Sequence, residues 1–152
     1  LGNGMLLPAG PLRESSSRLN HVDFILYNGV DSKSNYAMNL MAGSIYNIFT
    51  KEVVNISYFN DKRIIAMAGI GNPDRFFSTL GDMGLQFERK VFPDHYHYDA
   101  ADLIFPAGSC VIMTAKDSIK CCRLNTGNHF FCLPVVAQTS DEFRSTLWKQ
   151  LN

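Results

Sequence analysis

Phe92-Pro93-Asp94-His95-Tyr96-His97-Tyr98 packs two histidines, an aspartate and two tyrosines into one short stretch. A neutral imidazole beside a carboxylate suits acid–base work, or the orientation of a catalytic carboxylate. The pair His95 and His97 has metal-binding spacing but no third ligand nearby. A capped loop with aromatic packing is the plainer alternative. Thr114, Lys116 and Asp117, with Lys120 a turn later, follow the apolar run Cys110–Thr114. At the carboxyl end of a strand these groups can face a phosphate or a base. A Lys-Asp pair at a solvated helix start competes with that reading. In Leu7-Pro8-Ala9-Gly10-Pro11-Leu12-Arg13-Glu14, prolines and glycine stiffen a loop that presents Arg13 and Glu14. Arginine binds phosphate with a planar fork, and glutamate ligates magnesium or orients a base. A surface Arg-Glu pair is the competing reading. Finally, Gly69-Ile70-Gly71-Asn72-Pro73 sets glycines and Asn72 where backbone N–H groups can meet an anion. It is neither GxGxxG nor a phosphate loop of the form GxxxxGK[ST], which the sequence nowhere contains.

The elements that must position these groups are legible in outline. Arg63–Ala68 reads as a strand. Pro73 at a first helical position, Asn72 as N-cap and Asp74 in the first turn open a helix through Phe76, Phe77, Leu80 and Met83, closed by Gly84. Leu85–Phe92 and Cys110–Thr114 predict strands, and a short helix follows through Ile119 and Cys122. Phe130–Val136 predicts a strand despite Pro134. Ser140 caps a terminal helix with a Phe143, Leu147, Leu151 stripe, beside which Trp148 is assigned to core or interface. Upstream, Leu12–Leu19 predicts a short helix, Val22–Tyr27 a buried strand and Val30–Tyr36 a linker. Met38–Phe49 and Val53–Phe59 predict a hairpin across Thr50-Lys51-Glu52; Ala100–Phe105 predicts a short helix. Strands alternating with helices give an α/β layered sheet with flanking helices.

Composition narrows the function classes. The 152 residues, 46% hydrophobic, can bury an ordinary core. Zero formal net charge argues against a strongly basic nucleic-acid surface. No apolar run reaches membrane-spanning length, which leaves peripheral membrane contact open. Cys110, Cys121, Cys122 and Cys132 form no CxxC pair and read as reduced thiols; Cys121 and Cys122 are expected to pack. The chain opens at Leu1 and not at methionine, which points to a longer parent.

Read in order, GNGxLLPAGPLRE, a strand ending Asn28-Gly29, AGIGNPxRFFxTLxxxG, FPDHxxY, MTxKDxxKC and a late strand with Leu133-Pro134 form a specific series. The series resembles the C-terminal half of the tetraacyldisaccharide 4'-kinase family, the lipid A 4'-kinases, over nearly the whole chain. That resemblance implies transfer of the ATP γ-phosphate to the 4'-hydroxyl of a tetraacyldisaccharide 1-phosphate, giving lipid IVA. It implies magnesium, an acylated disaccharide lipid as partner, no nucleic acid, and a peripheral station on the cytoplasmic face of the inner membrane of Gram-negative bacteria. It implies residues 1–30 as a remnant of a P-loop nucleotide-binding domain, 31–60 as a linker with a two-stranded β-hairpin, and 61–152 as a C-terminal α/β domain. Arg13 and Glu14 match the pair near the phosphates and metal. His95 matches the histidine that supports a catalytic aspartate of the nucleotide-binding half, and Asp94 is its neighbour. Thr114, Lys116, Asp117 and Lys120 match TxKDxxK, with Ala115 where glutamate is common, and Asn72 lies in the glycine turn. Because the phosphate loop and base are absent, these residues alone are expected to be inactive. The alternatives are a non-catalytic ligand-binding module and a metal-dependent hydrolase using Asp94, His95 and His97.

Overall fold

A computed structural model describes residues 2–29, 36–124 and 129–152. The chain divides into two compact units, Met41–Val136 and a discontinuous one formed by Leu1–Leu40 with Ala137–Asn152.

The continuous unit is built on a five-stranded sheet in the order β3-β7-β6-β4-β5. Its strands are β3 (Tyr46–Asn47), β4 (Ile64–Ala68), β5 (Glu88–Val91), β6 (Cys110–Thr114) and β7 (Phe130–Leu133). The three central strands β7, β6 and β4 are parallel and buried at every position. Their unbroken apolar runs reflect cover on both faces. Alternation along them feeds two cores. Ile64, Ala66, Ala68, Ile112, Phe131 and Leu133 pack with Phe76, Phe77 and Leu80 of α1 (Pro73–Asp82) on one side. Met67, Val111, Met113, Phe130 and Cys132 pack with Cys121 of α2 (Ala115–Cys121) on the other. The edges are blunted, β3 by its length and β5 by Glu88, Arg89 and Lys90. Arg63 clamps Glu88 with two nitrogens at 2.7 and 2.9 Å.

Chain order explains where groups gather. From β4 the chain passes through α1 to β5 on one side, while β6 lies on the other side of β4. The order in which the chain adds strands therefore reverses between the parallel neighbours β4 and β6, the place where open α/β sheets form a crevice at their carboxyl ends.

Several expected elements are smaller than their hydrophobicity suggests. Val22–Tyr27 is not a buried strand. Only Tyr27–Asn28 (β1) is extended and paired, and Phe24, Ile25 and Leu26 are half-buried. The hairpin reduces to one antiparallel bridge, Tyr46 to Val53, because Ile56–Phe59 coils into a 3-10 turn that drives Phe59 into the core. The helices expected at Leu12–Leu19 and Ala100–Phe105 are 3-10 turns at Ser16–His21 and Ala101–Leu103. Pro134, which lacks an N–H, splits the Phe130–Val136 strand: β7 stays in the large sheet, and β8 (Val135–Thr139) joins β1 and β2 (Ala37–Ala42) in the order β1-β2-β8. The linker expected at Val30–Tyr36 lies outside the described residues except at Tyr36.

In the discontinuous unit, Phe24, Tyr36 and Phe143 meet edge to face with centroids 5.4 to 5.6 Å apart. Phe143 belongs to α3 (Asp141–Leu151), capped by Ser140 as expected. The rest of the stripe fades: Leu151 and Trp148 are exposed, so Trp148 is not a core residue.

Candidate active site

The carboxyl ends of β4 and β6 and the loop after β5 converge on one side chain, Asp117. It is 0% exposed. Its position follows from local sequence: Thr114 is the N-cap of α2 and Asp117 the third helical residue, where a carboxylate suits the helix dipole. The two side chains bond reciprocally. Thr114 Oγ1 donates to Asp117 Oδ2 at 2.7 Å and accepts from the Asp117 N–H at 3.3 Å. Gly69, the first residue after β4, donates its N–H to the same carboxylate oxygen at 3.1 Å. Tyr98 donates its hydroxyl to Oδ1 at 3.0 Å. The Lys120 ammonium lies 3.9 Å from Oδ1 and donates to the Tyr96 carbonyl at 3.0 Å. A buried carboxylate is costly unless its lone pairs are filled, and here three donors and a cation fill them. Burial, then the Asp117 charge, pushes the Tyr98 hydroxyl far above its usual range, so it remains a donor.

This arrangement bears on two expectations. Thr114 and Asp117 are both buried and spend polar atoms on the protein. The Gly69–Pro73 turn is likewise engaged internally. The Gly69 N–H is already taken by an internal carboxylate, and Asn72 is occupied as N-cap of α1, accepting from Arg75 N–H. The glycines serve close approach. A Cβ on Gly69 would fall well under 3.0 Å from the Tyr98 hydroxyl, and one on Gly71 would sit 3.2 Å from Asp94 Oδ2. Lys116 is exposed, and Lys120 is a tether to the loop.

The loop so held carries the exposed groups. Phe92, Tyr96 and Tyr98 form a ring cluster with centroids 4.8 to 5.2 Å apart, which is the aromatic packing of the plainer alternative. Between those anchors His95 has φ +61°, a left-handed conformation uncommon for a side-chain-bearing residue. Its N–H is met by Asp94 Oδ1 at 3.0 Å, and its Nε2 lies 3.8 Å from Asp94 Oδ2. The His95 side chain is 88% exposed. Among the described residues no cluster of three His, Cys, Asp or Glu could hold a metal ion, so the geometry gives the hydrolase reading no centre.

Arg13 and Glu14 lie in the other unit, where they follow a closed loop. Leu7 N–H bonds to Leu12 O at 2.8 Å and Gly10 N–H to Leu6 O at 2.9 Å. A Cβ on Gly10 would collide with Asn3 Oδ1 and Met5 O, so the loop needs glycine there. Both side chains are exposed, and Glu14 pairs with Arg18 at 3.4 Å.

Tyr98 and the Gly69 N–H are the partners that sequence reasoning missed. The available signal was a tyrosine ending a loop whose other aromatics pack, together with a glycine directly after a buried strand.

Comparison with known proteins assigns the chain a lineage. The family model described as LpxK, tetraacyldisaccharide-1-P 4'-kinase, matches residues 1–152. A tetraacyldisaccharide 4'-kinase of Legionella pneumophila (strain Corby) is 41% identical over 151 residues, covering 97% of this chain and 45% of that protein. One from Ruthia magnifica subsp. Calyptogena magnifica is 39% identical over 146 residues, covering 96% and 46%. A crystal structure described as the "apo" form of LpxK from Aquifex aeolicus in complex with ATP superposes with a TM-score of 0.70. It is 26% identical and covers 92% of this chain and 45% of that one. The chain thus spans under half the length of these relatives. With the match running through residues 1–152 at this level of identity, the chain belongs to the tetraacyldisaccharide 4'-kinase family.

Proposed function

We propose that this chain works as the C-terminal half of a kinase that transfers the γ-phosphoryl group of ATP to the 4'-hydroxyl of a tetraacyldisaccharide 1-phosphate, giving lipid IVA. The observation that carries this reading is the family match along residues 1–152. The relatives' names support the kinase activity and the disaccharide, and the Aquifex aeolicus structure with ATP supports the donor. On this reading residues 1–30 belong with the nucleotide-binding half together with Ala137–Asn152, which shares their compact unit, and the C-terminal domain begins inside the expected 31–60 linker, at Met41. A lipid substrate supports peripheral work at the cytoplasmic face of a Gram-negative inner membrane. No helix among the described residues is long and apolar enough to cross a membrane.

His95 is the residue we assign to the chemistry. Its exposed imidazole, left-handed backbone and adjoining Asp94 support a partner beyond its own loop. In that role it holds and orients the carboxylate, supplied by the nucleotide-binding half, that takes the proton from the 4'-hydroxyl. Phosphoryl transfer rewards positioning and charge stabilisation above all. Arg13 is assigned to the equatorial oxygens of the transferring group, which its planar fork suits. Glu14 offers one exposed carboxylate. That donor set fits a magnesium ion whose other ligands are phosphate oxygens and waters, and does not fit a cage built by this chain. When bound, magnesium neutralises charge on the phosphates. Lys116, exposed at the start of α2, is assigned to the substrate's vicinity.

The test is His95→Ala in the full-length kinase, assayed with ATP and tetraacyldisaccharide 1-phosphate. We expect kcat to fall on the order of a hundredfold or more. Unchanged turnover removes His95 from the mechanism.

A further inference from the structure

We infer that Asp117 is a positioning residue, a buried carboxylate that fixes the loop carrying Asp94 and His95 by accepting the Tyr98 hydroxyl while bound to the end of β4. The inference rests on the assignment of His95 to the chemistry, and goes beyond it by explaining what sets the place of an exposed histidine.

The geometry is that of an internal clamp. One carboxylate oxygen accepts from Thr114 and Gly69, which belong to the ends of β6 and β4. The other accepts from Tyr98, three residues past His95. A second tether runs parallel to the first: α2 also sends Lys120 to the Tyr96 carbonyl, with its ammonium 5.6 Å from the Tyr98 ring centre. On the near side of His95, the Phe92 N–H bonds to Ala68 O at 2.8 Å, fixing the start of the loop to β4. His95 therefore sits on a span held at its start by β4 and at its end by α2. The one residue of that span with a strained backbone is the one assigned to the reaction. Misplacement of a catalytic group by about an ångström costs rate far more than it costs stability.

Asparagine at 117 would keep one acceptor oxygen for Gly69 and Thr114, but its amide nitrogen would reverse the Tyr98 bond by donating to the hydroxyl, and the charge facing Lys120 would be lost. Asp117→Asn therefore tests folding and function together, and a cleaner variant is Tyr98→Phe. It removes the link to the loop and leaves the other two bonds to Asp117 in place.

The experiment uses the full-length kinase in four forms: wild type, Tyr98→Phe, His95→Ala and the double variant, assayed below their unfolding transitions. Tyr98→Phe is expected to lower kcat about tenfold, with KM for ATP and for the lipid within about twofold of wild type. In the His95→Ala background the same substitution is expected to add no further loss, because a positioning residue has nothing left to position. Lys120→Met, which frees the loop at Tyr96 without touching the three hydrogen bonds to Asp117, is expected to follow the same pattern. Wild-type kcat in Tyr98→Phe overturns the inference. So do losses that multiply in the double variant. Unchanged kcat in His95→Ala is read in its own arm and fails the functional assignment instead.

Discussion

At the scale of single residues, burial sorts the four thiols. Cys121 is buried beside Asp117, and desolvation with that charge pushes its thiol up to about 12. Burial raises Cys110 as well, and Cys132 is fully enclosed. Cys122, one residue on, is exposed, against the expectation that both adjacent cysteines pack. Iodoacetamide at pH 8 is therefore expected to give one adduct on the folded protein, at Cys122, and the others only in denaturant; intact-mass and peptide analysis would report a second native adduct at once. Gly69 carries a different constraint. Gly69→Ala drives a methyl group into the Tyr98 hydroxyl and should cost about 1–3 kcal/mol in urea unfolding. Gly71→Ala, which meets only the far end of the Asp94 side chain, should cost less. Thr114 and Asp117 were visible in the sequence as polar groups at a strand's carboxyl end, Asp117 within a Lys-Asp pair at a helix start. Their inward direction was not. It depends on donors that the chain supplies from Gly69 and Tyr98, and no local pattern counts donors that arrive from other strands.

At the scale of elements, α1 shows why some boundaries could be read and others could not. Asn72, Pro73 and Gly84 each act through their own backbone and neighbours, so their meaning survives in one dimension. The helix ends in a paired C-terminal cap: Leu85 N–H reaches Leu80 O at 3.2 Å, and Gly84 N–H reaches Gly81 O at 2.8 Å. Gly84 has φ +84°, whereas Gly81 lies within the helix with nothing within 4 Å of an added Cβ. Two alanine substitutions three residues apart should thus have opposite signs. Gly84→Ala is expected to destabilise by about 1 kcal/mol and Gly81→Ala to stabilise by roughly 0.5–1 kcal/mol in denaturant titrations. Val22–Tyr27 and Val53–Phe59 misled because an apolar run states that burial is wanted and not how it is achieved. Phe59 finds the core from a 3-10 turn as well as a strand would have. Pro134 was legible as an irregularity, but where each half-strand pairs is decided by sheets formed elsewhere.

At the scale of the whole molecule, the match to under half of each relative sets the reach of any activity claim. These residues contain no GxxxxGK[ST] sequence, so the 152-residue chain by itself is expected to give no ATP-dependent phosphorylation of the disaccharide. Radiolabelled product above background from this chain alone would contradict the proposed division of labour. The α/β class and the location of the loop at the sheet's carboxyl end were readable, since alternating strand and helix signals carry them. The two-unit partition was not, because it depends on α3 returning to the company of Phe24 and Tyr36. That return has a consequence in time. Met41–Val136 is contiguous and leaves the ribosome whole before residues 137–152 do, whereas the other unit lacks Phe143 until synthesis has passed α3. Between these two units the usual order in which earlier segments fold first is therefore inverted: Met41–Val136 can acquire its structure while the unit that contains residues 1–40 still waits for α3.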